Sequence, residues 1–137
     1  MFKKKVISTL ILSVLPGAGF SADFTEKVNQ GTEVKNEVIN DKQDVYGKIL
    51  DSTITTGGHQ YIHTGGSASN IVLNGGKSTV NGALIDNFKI LSGIQKLESG
   101  AVSENAYIAM SGIQHVNNNA TAVSTTVENK GRQYINA

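Results

Sequence analysis

Apolar residues in this chain come in short runs separated by polar ones, and the runs recur at a nearly constant interval. The clearest copy is Gly57-Gly58-His59-Gln60-Tyr61-Ile62, a Gly-x-Gln-x-aliphatic pattern. It returns as Gly93-Ile94-Gln95-Lys96-Leu97, Gly112-Ile113-Gln114-His115-Val116 and Gly131-Arg132-Gln133-Tyr134-Ile135. Weaker copies stand at Gly76-Lys77-Ser78-Thr79-Val80 and Asp41-Lys42-Gln43-Asp44-Val45. Anchors at 41, 58, 76, 93, 112 and 131 are separated by 17, 18, 17, 19 and 19 residues. A period of this size indicates stacked repeats.

Each period predicts one coil. Its first short strand carries the Gln and then Val45, Ile62, Val80, Leu97, Val116 or Ile135. A turn follows at Gly47, Gly65-Gly66, Gly82, Gly100 or Asn118-Asn119, then Ile49, Ala68, Leu84, Val102 or Ala120 at corresponding places. A further apolar segment closes the coil, with Ile54, Val72, Ile108 and Val127; the third copy departs, placing Lys89 between Phe88 and Ile90. Runs of two to five apolar residues bounded by Gly, Asn or Ser are strand and turn patterns, and no heptad pattern persists after residue 22. One coil alone cannot bury its few aliphatics, whereas stacked coils form interior columns. About six coils at ~4.8 Å would make a rod roughly 29 Å long. The turn glycines supply positive φ at the same corner of each coil. The Gln column either forms an amide ladder or faces water.

Residues 1–22 read as a secretory signal. Lys3, Lys4 and Lys5 precede a mostly apolar run over residues 6–15, which Pro16 and Gly17 break, with small residues up to Ala22. The run is too short for a comfortable permanent bilayer span, so no transmembrane anchor is expected beyond the signal. Residues 23–40 are the most polar part and read as a degenerate first coil or N-terminal cap, with a flexible mature N-terminus as the plainer alternative. Residues 41–137 carry the repeats.

The unit over residues 57–76, G-G-x-Q-x-(V/I)-x-x-G-G-x-A-x-x-x-x-(V/I)-x-x-G-G, resembles the repeats of AIDA-type autotransporter passengers, the self-associating adhesins of Gram-negative bacteria. The resemblance extends loosely over residues 41–137. It implies an all-β, right-handed parallel β-helix displayed at the cell surface and acting in adhesion, autoaggregation and biofilm. It also implies O-heptosylation of some Ser or Thr. The family carries a C-terminal transmembrane β-barrel, and no alternating strands of about ten residues stand here to form one. The expectation is therefore the front end of such a protein, in truncated or remnant form. It would be exported to the periplasm or cell surface, with contacts to itself or to cell-surface glycans. Its last complete coil, near residues 112–130, is expected to expose Val116 and Val127 and to self-associate end to end.

Composition narrows the chemistry. The chain has 12 basic and 11 acidic residues, and with residues 1–22 removed acids exceed bases by two, so a nucleic-acid footprint is absent. There is no Cys, which excludes disulfides and thiolate metal sites. His59, His63 and His115 are the only histidines. His59 and His63 would lie on one strand face ~13 Å apart, too far for a shared metal. His115 occupies the position of Tyr61 and Lys96 and should point outward. No catalytic, cofactor or metal residues are assigned.

Two enzyme alternatives remain. A left-handed β-helix acyltransferase would need a strict six-residue aliphatic column, which cannot be drawn from Ile54 through Val80. A polysaccharide-cleaving β-helix would need converging carboxylates, and no repeat position is expected to carry acids in adjacent coils. Asn119-Ala120-Thr121 matches a glycosylation acceptor, which would be a chance match in the bacterial protein that the resemblance implies.

Overall fold

The computed structural model describes residues 24–136, and all regular structure among them is β-strand. The signal read at residues 1–22 lies outside the described residues. The strands are β1 (Lys27–Val28), β2 (Glu33–Lys35), β3 (Val38–Ile39), β4 (Lys42–Val45), β5 (Lys48–Leu50), β6 (Thr53–Thr55) and β7 (His59–Ile62). They continue as β8 (Ser67–Asn81), β9 (Leu84–Glu98), β10 (Val102–Glu104), β11 (Tyr107–Asn117), β12 (Thr121–Val123), β13 (Thr126–Val127) and β14 (Arg132–Asn136). Every pairing is parallel, and register partners lie 15 to 20 residues apart, from Glu33 to Lys48 at one extreme to Thr55 and Gly75 at the other. Parallel pairing at that interval makes a β-solenoid, each coil resting on the one before it.

Each coil contributes three strand segments, and three inward columns form the core. The first column is Val28, Val45, Ile62, Val80, Leu97, Val116 and Ile135. The second is Val34, Ile49, Ala68, Ile85, Ser103 and Ala122. The third is Ile39, Ile54, Leu73, Ile90, Ile108 and Val127. Most of these side chains are fully buried, and each such aliphatic contributes ~1.5–3 kcal/mol of transfer free energy. Residues 27–39 supply the first described coil, with β1, β2 and β3 pairing β4, β5 and β6.

The registers correct the expected positions. In the second column Ile85 faces inward while Leu84 is 51% exposed, and Ser103 and Ala122 take the places expected of Val102 and Ala120. In the third column Leu73 points inward rather than Val72. Lys89 pairs with Val72 and Tyr107 on the outside, leaving Phe88 and Ile90 inside. The polar residue in the third copy therefore falls on the alternate, outward phase of a regular strand. Val116 is buried, with Ile135 as its register partner, whereas Val127 is 44% exposed.

Two corners explain the punctuation. Gly65, Gly82 and Gly100 in the turn after the first segment have positive φ, as the turn chemistry requires. The corner after the second segment is also left-handed, yet it is built from Asn36, Asp51, Asn70, Asn87, Asn105 and Ser124, with φ from 51 to 61°. Asn and Asp tolerate this region because their short polar side chains bond locally. The anchor glycine Gly112 is needed for another reason. A Cβ there would lie 2.2 Å from the Ile90 carbonyl oxygen of the preceding coil.

Candidate binding face

The Gln column lies inside. Gln43, Gln60, Gln95 and Gln114 are fully buried, between the anchor glycine and the first aliphatic column. Gln60 Nε2 donates to Gln43 Oε1, Gln114 Nε2 to Gln95 Oε1 and Gln133 Nε2 to Gln114 Oε1, each at 2.8 Å. At the N-terminal end Gln43 Nε2 donates to Thr25 O and Glu37 Oε1. Glu37 also accepts from the Thr25 amide and hydroxyl. Burial raises its carboxyl above the ordinary range, and those hydrogen bonds offset only part of the shift. The ladder removes one inward column from aliphatic packing and holds coil against coil by directed bonds.

Because Gln and aliphatic side chains take the inward phase of the first segment, the alternate positions must point out. They form three outward columns. One holds Lys42, His59, Lys77, Ile94, Ile113 and Arg132. The next holds Lys27, Asp44, Tyr61, Thr79, Lys96, His115 and Tyr134. Tyr46 and His63 begin the third, followed by Asn81, Glu98, Asn117 and Asn136. This face gathers all three histidines and three of the four tyrosines. It carries Lys27, Lys42, Lys77, Lys96 and Arg132 against Asp44 and Glu98.

The rings are fixed by contacts with one another. His63 stacks on Tyr46 at 4.3 Å between centroids, His59 on Tyr61 at 3.9 Å and His115 on Tyr134 at 5.1 Å. Lys42 and Lys27 lie over the Tyr61 and Tyr46 rings. His63 Nε2 meets Asp44 Oδ1 at 2.9 Å, and His59 Nε2 meets Thr79 Oγ1 at 3.1 Å. Burial lowers the pKa of His59, and the Lys77, Lys96 and Lys42 ammonium groups lower it further. Lys42, Lys77 and Lys96 thus surround the middle of the face with positive charge, which would attract an anion.

Other residues singled out in the sequence are dispersed. Among the described residues no group of three or more His, Asp or Glu is placed to hold a metal ion. Asp86 and Glu104 are register partners in adjacent coils, contrary to the expectation that no repeat position carries such a pair. The correct register of the second segment brings them together. Both lie on an outward column, and Asn105 Nδ2 donates to Asp86 Oδ1 at 2.9 Å. Asn119 lies at positive φ in the turn before β12, with Thr121 exposed. An open depression of about 280 Å³ is lined by Glu26, Lys27, Asp41, Lys42 and Asp44, a mixed-charge rim of the same face. Among the described residues no helix is long and apolar enough to cross a membrane.

Sequence reasoning named the histidines one by one and missed their assembly. The available signal was the outward phase, since residues one before and one after each Gln of the repeat are Lys, His, Tyr, Ile, Asp or Arg. No known protein family, curated protein or solved structure was found to match this chain.

Proposed function

We propose that this chain is an exported interaction module of the adhesin type, which holds anionic cell-surface polysaccharide against the outward columns of the first strand segment. The observation that carries the reading is the gathering of all three histidines, three of the four tyrosines and five cations onto that one face. The opposing second-segment columns carry Glu33, Asp86 and Glu104 among Lys35, Lys48 and small or apolar residues. A stacked parallel sheet presents its groups at ~4.8 Å intervals, a spacing suited to a linear polymer lying along the rod. Ring edges and faces pack against the apolar sides of sugars, while lysines concentrate the acidic polymer near the surface. The resemblance of residues 57–76 to adhesin repeats and the basic, apolar start of residues 1–22 support export and adhesion.

The test is retention on immobilised polygalacturonate, with dextran as the neutral control. The full chain should be retained on the acidic polymer only, and retention should fall as salt rises. Equal retention on dextran would overturn the anionic part of the reading.

The Asp86–Glu104 pair favours one second reading, cleavage of the polysaccharide itself. As register partners the two residues stand one strand spacing apart, ~4.8 Å in the backbone, and retaining glycosidases hold their carboxyls ~5–5.5 Å apart. If the chain depolymerises an acidic glycan, Asp86→Asn and Glu104→Gln should each abolish the loss of polymer viscosity while leaving retention intact.

A further inference from the structure

The glutamine ladder is interrupted at a single rung. Ser78 lies in register between Gln60 and Gln95 and is itself fully buried. Its side chain ends an amide group short of the ladder. Three buried polar atoms meet at this rung without a protein partner: Gln60 Oε1, Ser78 Oγ and Gln95 Nε2. Among the described residues only Thr125 Oγ1 shares that condition, and it lies in a later coil. Buried polar groups in folded proteins are almost always satisfied, and each exception requires a physical cause.

The ladder runs in the same direction on both sides of the break. Thr25 O and Glu37 Oε1 accept from Gln43 Nε2, so Gln43 turns its Oε1 toward Gln60. Gln60 must answer with Nε2, which leaves its Oε1 facing Ser78 as an acceptor. On the far side Gln133 donates to Gln114 and Gln114 to Gln95, which leaves Gln95 Nε2 facing Ser78 as a donor. Two strand spacings, ~9.6 Å of backbone separation, keep the two amides from meeting directly. Whatever completes the rung must donate on one side and accept on the other. It must also be small and uncharged, because an ion surrounded only by amides and a hydroxyl would not recover its hydration.

We infer that the Ser78 rung is a buried water site, in which one or two molecules stand in for the missing amide. Water there donates to Gln60 Oε1, accepts from Gln95 Nε2 and bonds the Ser78 hydroxyl. That supplies the three or so hydrogen bonds typical of a buried water. The site joins the Gln43–Gln60 segment of the ladder to the Gln95–Gln114–Gln133 segment. It is independent of the proposed polysaccharide face.

The test is the nuclear Overhauser contact between water and the side-chain NH2 of Gln95 in the wild-type protein and in Ser78→Ala and Ser78→Gln. A long-lived water contact is expected at Gln95 in the wild type. It should persist in Ser78→Ala, which rules out relay through the serine hydroxyl. It should vanish in Ser78→Gln, whose own amide fills the rung, and the Tm of that variant should rise by a few degrees. Absence of the contact in the wild type would overturn the inference whatever the variants do. So would its persistence in Ser78→Gln.

Discussion

Gln60 and Gln43 are both fully buried and are joined through their side-chain amides at 2.8 Å, one coil above the other. The bond runs along the stacking direction, parallel to the backbone ladder. It therefore links coils that the aliphatic columns only press together. A buried amide tolerates no loss of its partner, because the stranded group keeps its full desolvation cost.

Replacing Gln114 by Leu should accordingly be costly. Gln95 Oε1 and Gln133 Nε2 would each lose a partner. The expected destabilisation is about 1–3 kcal/mol for the buried Gln95 group, with less from the more exposed Gln133. Urea unfolding followed by circular dichroism would measure it, and an unchanged midpoint would show that the ladder adds nothing.

Gly112→Ala should be at least as damaging. The added methyl would press into the Ile90 carbonyl group, which is backbone and can yield only by moving one coil away from the next. Overpacking of this kind costs about 1–3 kcal/mol or more. The same substitution at Gly100, whose Cβ would meet open space but whose φ is +84°, tests the separate cost of left-handed backbone. Both variants should melt below the wild type.

Stability should depend on pH through Glu37. Its folded pKa is raised above the ordinary 4.5, so the folded state holds the proton more tightly than the unfolded state. The resulting stabilisation is fully present below 4.5 and is lost as pH climbs through the raised folded value. His59 acts in the opposite sense. Its folded pKa lies below the ordinary 6.5, so its contribution grows as pH rises through that interval. Glu37→Gln should flatten the falling limb of a stability profile, and His59→Gln the rising one. Profiles identical to wild type would remove both assignments.

The repeat was legible because Gly, Gln and an aliphatic recur together, and each has a distinct duty: close approach, ladder and core. The second segment was not legible to the residue. Leu84 and Ile85 are both aliphatic, so composition does not say which faces in; the left-handed corner at Asn87 sets the phase. That corner was itself visible as Asn36, Asn70, Asn87 and Asn105, but asparagine in turns is common enough to pass unnoticed. The Asp86–Glu104 pair was missed for the same reason of phase. The candidate face was hidden because its members are spread over more than a hundred residues and meet only when coils stack. Ser78, by contrast, stood out in the sequence as a weak copy of the motif, and the structure gives its weakness a location inside the core.

The central claim, that the outward columns of the first strand segment are the binding surface, is tested most directly by charge reversal on two faces. Lys77→Glu with Lys96→Glu alters that face; Lys48→Glu with Lys89→Glu alters the others by the same net charge. Affinity for immobilised polygalacturonate should fall at least tenfold in the first variant, about 1.4 kcal/mol or more, and change little in the second. Equal loss in both, or none in the first, would contradict the assignment.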